Sequence, residues 1–312
     1  MTGASLRAES ELIPRVDVGE GIEVVFRWVK DNLSGFFNVL RDLLDGAVNG
    51  LADLLSAPDA LLLAVLFALL AWLVKDIKFA ALALVMLVFV ISVNQWENAM
   101  DTLAMVLVAA IIALVIAIPL GIVAARSTQV SAVVRPVMDL MQTMPAFVWL
   151  VPVVSLFSIG VAPGVVATVI FCLPPGVRLT ELGIRGVDSE VVEAGHSFGS
   201  SPGQILRGIQ LPLAMPTIMA GVNQVIMLAL SMAVIAGLVG AGGLGGAVAT
   251  SIARIDIGLG FEAGLSVVAL AIFLDRFTAA IGQGGRSPIL TFLRRGRRAA
   301  TPDTPPTAQS GT

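Results

Sequence analysis

The sequence has one histidine, one cysteine and no tyrosine in 312 residues. A single cysteine excludes an internal disulfide, and Cys172 lies in the apolar run VVATVIFCLPP, where it reads as a small buried hydrophobe. With His196 alone, no HExxH and no Cys/His cluster, Ser-His-Asp hydrolysis and metal-ligand spacing lack their parts. No GxxxxGK[ST] occurs, so the chain carries no P-loop. GAGGLG at 240–245 does spell G-x-G-x-x-G, but it follows an apolar run instead of a strand, so its glycines are read as a tight turn or a close helix contact. No catalytic residue, no metal site, no cofactor bound by this chain and no nucleic-acid partner are expected.

Charge is also scarce. Only 13% of residues are charged, against roughly 25% in soluble domains, while 57% are hydrophobic and the mean hydropathy is +0.93. This balance describes a polytopic membrane protein, and an all-α one, because a helix satisfies its own backbone groups in hydrocarbon. Apolar runs near the length needed for spanning occur at 58–74, 77–93, 102–125, 137–160, 162–177, 212–239 and 262–281, giving about seven transmembrane helices. The fifth is short and is expected to close at Pro174-Pro175.

Basic residues are retained on the cytoplasmic side. With the polar loop 193–212 inside, alternation places Lys75, Lys78, Arg126, Arg135, Arg178, Arg185 and Arg207 inside, together with a tail carrying Arg286, Arg294, Arg295, Arg297 and Arg298. NQWENAM and the turn near Gly160 then fall outside with no basic residue, and the 240–261 segment with Arg254 alone. The expected topology is multi-pass, N-terminus outside and C-terminus cytoplasmic. The first residues, MTGASLRAESELIPRVDVGEG, lack the basic-then-apolar pattern of a cleaved signal.

Four regions follow. Residues 1–57 form a polar N-terminal region in which Ile22, Val25, Phe26, Val29, Leu33, Phe36, Phe37, Leu40, Leu43, Leu44, Leu51, Leu54 and Leu55 recur at helical spacing. They predict one or two amphipathic helices, bent at Gly35 or Gly46, lying on lipid or on the protein's own outer face. Residues 58–93 supply two peripheral spans, 94–285 a core with a cytoplasmic loop at 186–212, and 286–312 a basic, Pro/Thr-rich tail of disordered composition.

Polar groups inside spans are costly. Asp139, Gln142, Asn223, Gln224, Glu262 and Asp275 lie in spans or at their ends. Asp275, which precedes Arg276, and Glu262 are read as structural pairs at the interface. Gln142, Asn223 and Gln224 either line a polar path or hydrogen-bond one helix to another. The central thirds of the spans hold no acid or histidine, which weighs against a proton-driven carrier, and no catalytic cluster at one depth suggests a membrane enzyme.

EAGHSFGSSPGQILRGIQLP (193–212) is punctuated for a helix, a turn and a helix. Asp188 is an N-cap, Gly199 a left-handed stop, Ser200 and Ser201 a second cap, and Pro202 fits a first helical turn before Leu211-Pro212 opens the next span. Val191, Ala194, Gly195 and Phe198 share a face by i, i+3, i+4, i+7 spacing. That low-relief stripe with one aromatic knob either enters a groove in a soluble partner or rests on the protein's own helices.

Glu193-Ala194, Gly199 and Leu211-Pro212 resemble the E-A-A-x-x-x-G…L-P loop of ABC importer permeases, with Gly195 where the third alanine is usual. MQTMPAFVWLVPVV (141–154), PGVVATVIFCLPPGVRLTELGI (163–184), SFGSSPGQIL (197–206), QLPLAMPTIMAGVNQVIMLALSMAVIAGLVGAGGLG (210–245) and LAIFLDR (270–276) are similar to the glycine betaine/proline permeases of osmoprotectant uptake, over roughly residues 95 to 285. The resemblance implies a type I importer core in the cell membrane. Two permease copies would form the pathway, each docking an ABC ATPase that binds ATP and Mg, while an extracytoplasmic binding protein delivers a zwitterion such as glycine betaine or proline. By the same resemblance, the helix around Glu193, Ala194 and Phe198 would be the coupling helix and Gly199 would make its turn. With no tyrosine for a cation–π cage, and Trp149 the only tryptophan deep in a core span, Trp149 joins Gln142, Asn223 and Gln224 as a candidate path residue.

Overall fold

The computed structural model describes residues 18–282, and those residues are helical throughout, with no strand among them. The basic tail at 286–312 lies outside the described residues, as do residues 1–17. We label the elements α1 (Val18–Ser56), α2 (Ala60–Val74), α3 (Ile77–Ser92), α4 (Trp96–Arg126), α5 (Thr128–Thr143), α6 (Ala146–Phe157), α7 (Val161–Arg185), α8 (Ser189–Ser197), α9 (Pro202–Ile205), α10 (Leu211–Ala236), α11 (Gly243–Arg254) and α12 (Ile257–Gly282). A π turn, Leu206–Gln210, joins α9 to α10, and a 3-10 turn, Gly237–Val239, ends α10.

All seven apolar runs are helical, but only four helices are individually long and apolar enough to cross a membrane: α4, α7, the continuous 202–239 unit and α12. Two more spans result if each bent pair counts as one, α1 with α2 and α5 with α6, and α3 is a shorter apolar helix. The 137–160 run is therefore not one helix. It breaks at Met144-Pro145 with a bend of 97°. A proline forces the residue before it out of the helical region, and Met144 is extended at φ −72°, ψ 135°. Pro174 and Pro175 do the opposite of what their sequence context predicts. They lie buried inside α7, which continues to Arg185 instead of stopping near residue 177, because neighbouring helices enclose this stretch and tolerate the two missing donors.

α7 is the axis of the core, packed along its length between α4 and α10. Small residues set the spacing. A Cβ on Gly176 would lie 2.8 Å from that of Ala117 on α4, and one on Gly121 of α4 would lie 2.6 Å from that of Thr180. Such close approach is how helices associate in lipid, where apolar burial alone gives no preference for a neighbour over an acyl chain. Cys172 is fully buried in this packing. The α2–α3 hairpin sits at the periphery against α12, where Phe67, Phe79, Phe273 and Phe277 form an aromatic cluster with centroids 5.6 to 6.2 Å apart.

The N-terminal helix lies on the protein over part of its length only. Its C-terminal half lies on the protein: Leu44, Val48 and Ala52 are buried at i, i+4, i+8, and Phe37 meets Phe157 edge-on at 5.3 Å. Its first turns leave Ile22, Val25 and Trp28 exposed. The kink is at Leu33 (φ −115°, ψ 15°), not at Gly35 or Gly46. Asp45 joins this helix to the core by accepting a hydrogen bond from the Ala162 backbone N–H at 2.9 Å. Gly160, the N-cap of α7, has no side chain to satisfy that donor, so a residue 117 positions away does so. Asp45→Ala is expected to cost about 1 kcal/mol, the usual worth of a cap, and to lower Tm by about 2–4 °C in a thermal-shift assay.

The GAGGLG segment makes the tight turn and close contact read from its glycines. Gly240, Gly242 and Gly243 have φ of +83°, +77° and +61°, and Gly237 lies backbone to backbone against Gly245. The Leu244 N–H donates to Thr102 Oγ1 at 2.8 Å, fixing the start of α11 on α4. The 240–261 segment thus contains a helix that its short, Gly-rich sequence did not announce.

Candidate functional site

The polar loop forms as its caps require. Asp188 accepts from the Glu190 N–H at 2.9 Å and starts α8, and Gly199 at φ +79° ends it. Ser201 and Gln204 then form a reciprocal capping box with Pro202 in the first turn of α9. Past Ile205 the helix widens. The Leu211 N–H reaches back five residues to the Leu206 carbonyl, and Pro212 follows with no N–H to offer. A proline ring at 212 crowds the preceding turn, which accounts for the wider π spacing there.

The apolar stripe of α8 is split between a buried member and exposed ones. Gly195 is the buried member, turned onto the next helical segment, where an added Cβ would meet Ile209 Cδ1 at 2.8 Å and Ile205 Cγ1 at 3.3 Å. The glycine in place of the usual alanine thus lets α8 lie closer to α9 and the π turn. Val191, Glu193 and Ala194 remain exposed, and Phe198 is 90% exposed. His196 is exposed on the same helix.

The path candidates fall into different settings. Gln142 and Gln224 are exposed, on α5 and α10. Asn223 donates to Asp275 Oδ1 at 2.8 Å and accepts from the Thr278 hydroxyl, joining α10 to α12 while bordering a cleft of about 640 Å³. Asp275 therefore pairs with Asn223 and not with Arg276, since adjacent residues on a helix do not face each other. Trp149 is half-buried and its indole N–H donates to the Met141 carbonyl at 3.2 Å, bracing the α5–α6 elbow at a carbonyl left free by the helix end. Glu181, a buried carboxylate on α7, is not among the sequence candidates because the apolar run that begins this helix ends at residue 177.

Helices long and apolar enough to cross a membrane, packed around a small-residue axis with a capped, exposed helix–turn–helix at one end, make this a polytopic helical membrane protein. The model of binding-protein-dependent transport system inner membrane components matches residues 117–286, and the chain belongs to that family. It is 52% identical over 233 residues to the glycine betaine/proline betaine transport system permease protein ProW of Escherichia coli (strain K12). It is 44% identical over 269 residues to the glycine betaine transport system permease protein OpuAB of Bacillus subtilis (strain 168). These alignments take in 75% and 86% of this chain, and 65% and 95% of the two relatives. The chain thus spans just under two thirds of the ProW length. Among solved structures, an inward-facing form of the MetNI methionine ABC transporter superposes with a TM-score of 0.56 at 21% identity, covering 61% of this chain and 95% of that one. The fold is shared with it.

Proposed function

We propose that this chain is the permease subunit of an ATP-driven importer for glycine betaine/proline-type osmoprotectants. The observation that carries the reading is the geometry of α8. A helix seated on its own loop through Gly195 presents Val191, Glu193, Ala194 and Phe198 outward, the arrangement a soluble partner needs in order to grip. The relatives' names supply the solute class. Two copies would enclose the path, with an ATPase docked on each α8–α9 loop and an extracytoplasmic binding protein on the opposite face, the N-terminus outside and the C-terminus in the cytoplasm. ATP binding would close the ATPases, move the docked loops and rock the paired spans.

Gln224 and Gln142 are the candidate path residues that the monomer leaves exposed, and facing water or a second copy avoids the cost of placing an amide in lipid. Asn223 and Trp149 would serve the path by fixing the helices beside it. Proteoliposomes containing the chain with its ATPase and binding protein are expected to take up labelled glycine betaine only when ATP is supplied on the ATPase side. Uptake by the chain alone, without partner or ATP, would make it a secondary carrier.

A further inference from the structure

Six polar residues form a zipper between α5 and α7. Ser131, Arg135 and Asp139 stand at i, i+4, i+8 on α5, and Arg178, Glu181 and Arg185 at i, i+3, i+7 on α7. The pairing is antiparallel. Asp139 meets Arg178, while Glu181 accepts from Arg135 at 3.0 Å and from the Ser131 hydroxyl at 2.7 Å. Arg185 Nε lies 3.0 Å from the same Glu181 oxygen, and its guanidinium also donates to the Ala124 carbonyl at 2.8 Å. That carbonyl is in the last turn of α4, where unpaired acceptors and the helix dipole favour a cation. Glu181 is 3% exposed, so its charge is held by these donors and not by water.

Besides the zipper, α5 is attached along one apolar seam, where Met138, flanked by partly buried Val134 and Met141, packs on Ala117, Leu173 and Val177. Only Ser131 and Met138 of this helix are buried, and Val133, Val137 and Leu140 are exposed. Arg185 is the last residue of α7, and only Gly186, Val187 and Asp188 separate it from α8. At the other end, the Trp149–Met141 bond carries α5 into α6 across the elbow. A displacement of α8 therefore meets the end of the knot, at Arg185, within three residues, and beyond it the α5–α6 arm.

We propose that this zipper makes the bent α5–α6 pair follow the docking loop, with Glu181 as the positioning residue at its centre. The proposal rests on the transport reading above, since it assigns the route by which motion of α8 reaches the membrane arms. The test uses the complete importer in proteoliposomes and measures solute uptake and ATP hydrolysis together, for wild type, Glu181→Gln, Asp139→Asn, Arg178→Asp and the charge-swapped pair Asp139→Arg with Arg178→Asp. In Glu181→Gln, ATP hydrolysis is expected to stay within about twofold of wild type while uptake per ATP falls about tenfold, within the range of allosteric coupling energies. Asp139→Asn and Arg178→Asp should show the same split less strongly, and the swapped pair should regain most of the loss. Because both side chains of the Asp139–Arg178 pair are exposed, those variants decide the matter even where Glu181→Gln fails to fold. Uptake and hydrolysis falling in proportion, or neither changing, overturns the proposal. A wild-type chain that binds no ATPase overturns the transport reading, and the proposal with it.

Discussion

On the permease reading proposed above, replacing Phe198 with alanine together with Glu193 with lysine is expected to remove most of the ATPase that would co-purify with the chain. An aromatic side chain that is 90% exposed at the end of a capped helix is costly to leave in water and well placed to fill a partner's pocket. Truncating such an anchor typically costs about 2 kcal/mol or more, roughly a 30-fold loss of affinity. Reversing the charge at Glu193 adds a repulsive element wherever the partner presents a cation. Both side chains are exposed, so the Tm of the purified permease should not change. Quantitative co-purification at matched expression gives the answer. ATPase recovery at the wild-type level would show that α8 is not the docking surface.

The largest effect on stability is expected at Gly237. A Cβ there would sit 2.0 Å from the carbonyl carbon of Gly245 and 2.4 Å from the Gly246 nitrogen, both backbone atoms with no rotamer to give way. Gly237→Val must therefore drive α11 away from the end of α10 and strain the Leu244–Thr102 hydrogen bond that seats it. Overpacking a core usually costs about 1–3 kcal/mol, and a backbone clash belongs at or above about 3 kcal/mol. Size-exclusion chromatography of the detergent-solubilised variant should show little monodisperse protein. Gly246→Ala is the matched control: nothing lies within 4 Å of its Cβ, and the helix should accept it. Equal behaviour of the two variants would mean that the contact is not made.

What can be read in advance is mostly local. Asp188, Gly199, Ser201 and Pro202 fix the ends of α8 and α9 through bonds spanning a few residues, so their chemistry is visible in the chain itself. Proline, in contrast, departs from its sequence expectation twice, in opposite directions. Pro145 ends a helix, while Pro174 and Pro175 are carried within α7 between α4 and α10. No window of sequence contains that difference. Gly195 belongs to the expected stripe, but only the fold shows it facing Ile205 and Ile209. The α5–α7 zipper is discoverable as two matching spacings, 131/135/139 and 178/181/185. A fifth span that ends at 177 leaves Arg178, Glu181 and Arg185 off the helix on which the second spacing appears.

The burial of Cys172 has a practical consequence. Because it is the sole thiol in the sequence and lies wholly within the helix packing, a maleimide should not reach it in the folded protein. Each cysteine introduced at an exposed position then becomes a unique chemical handle, with no native thiol to remove first. Single labels at Phe198 and at the turn near Ile159, both exposed, would report from opposite ends of α7.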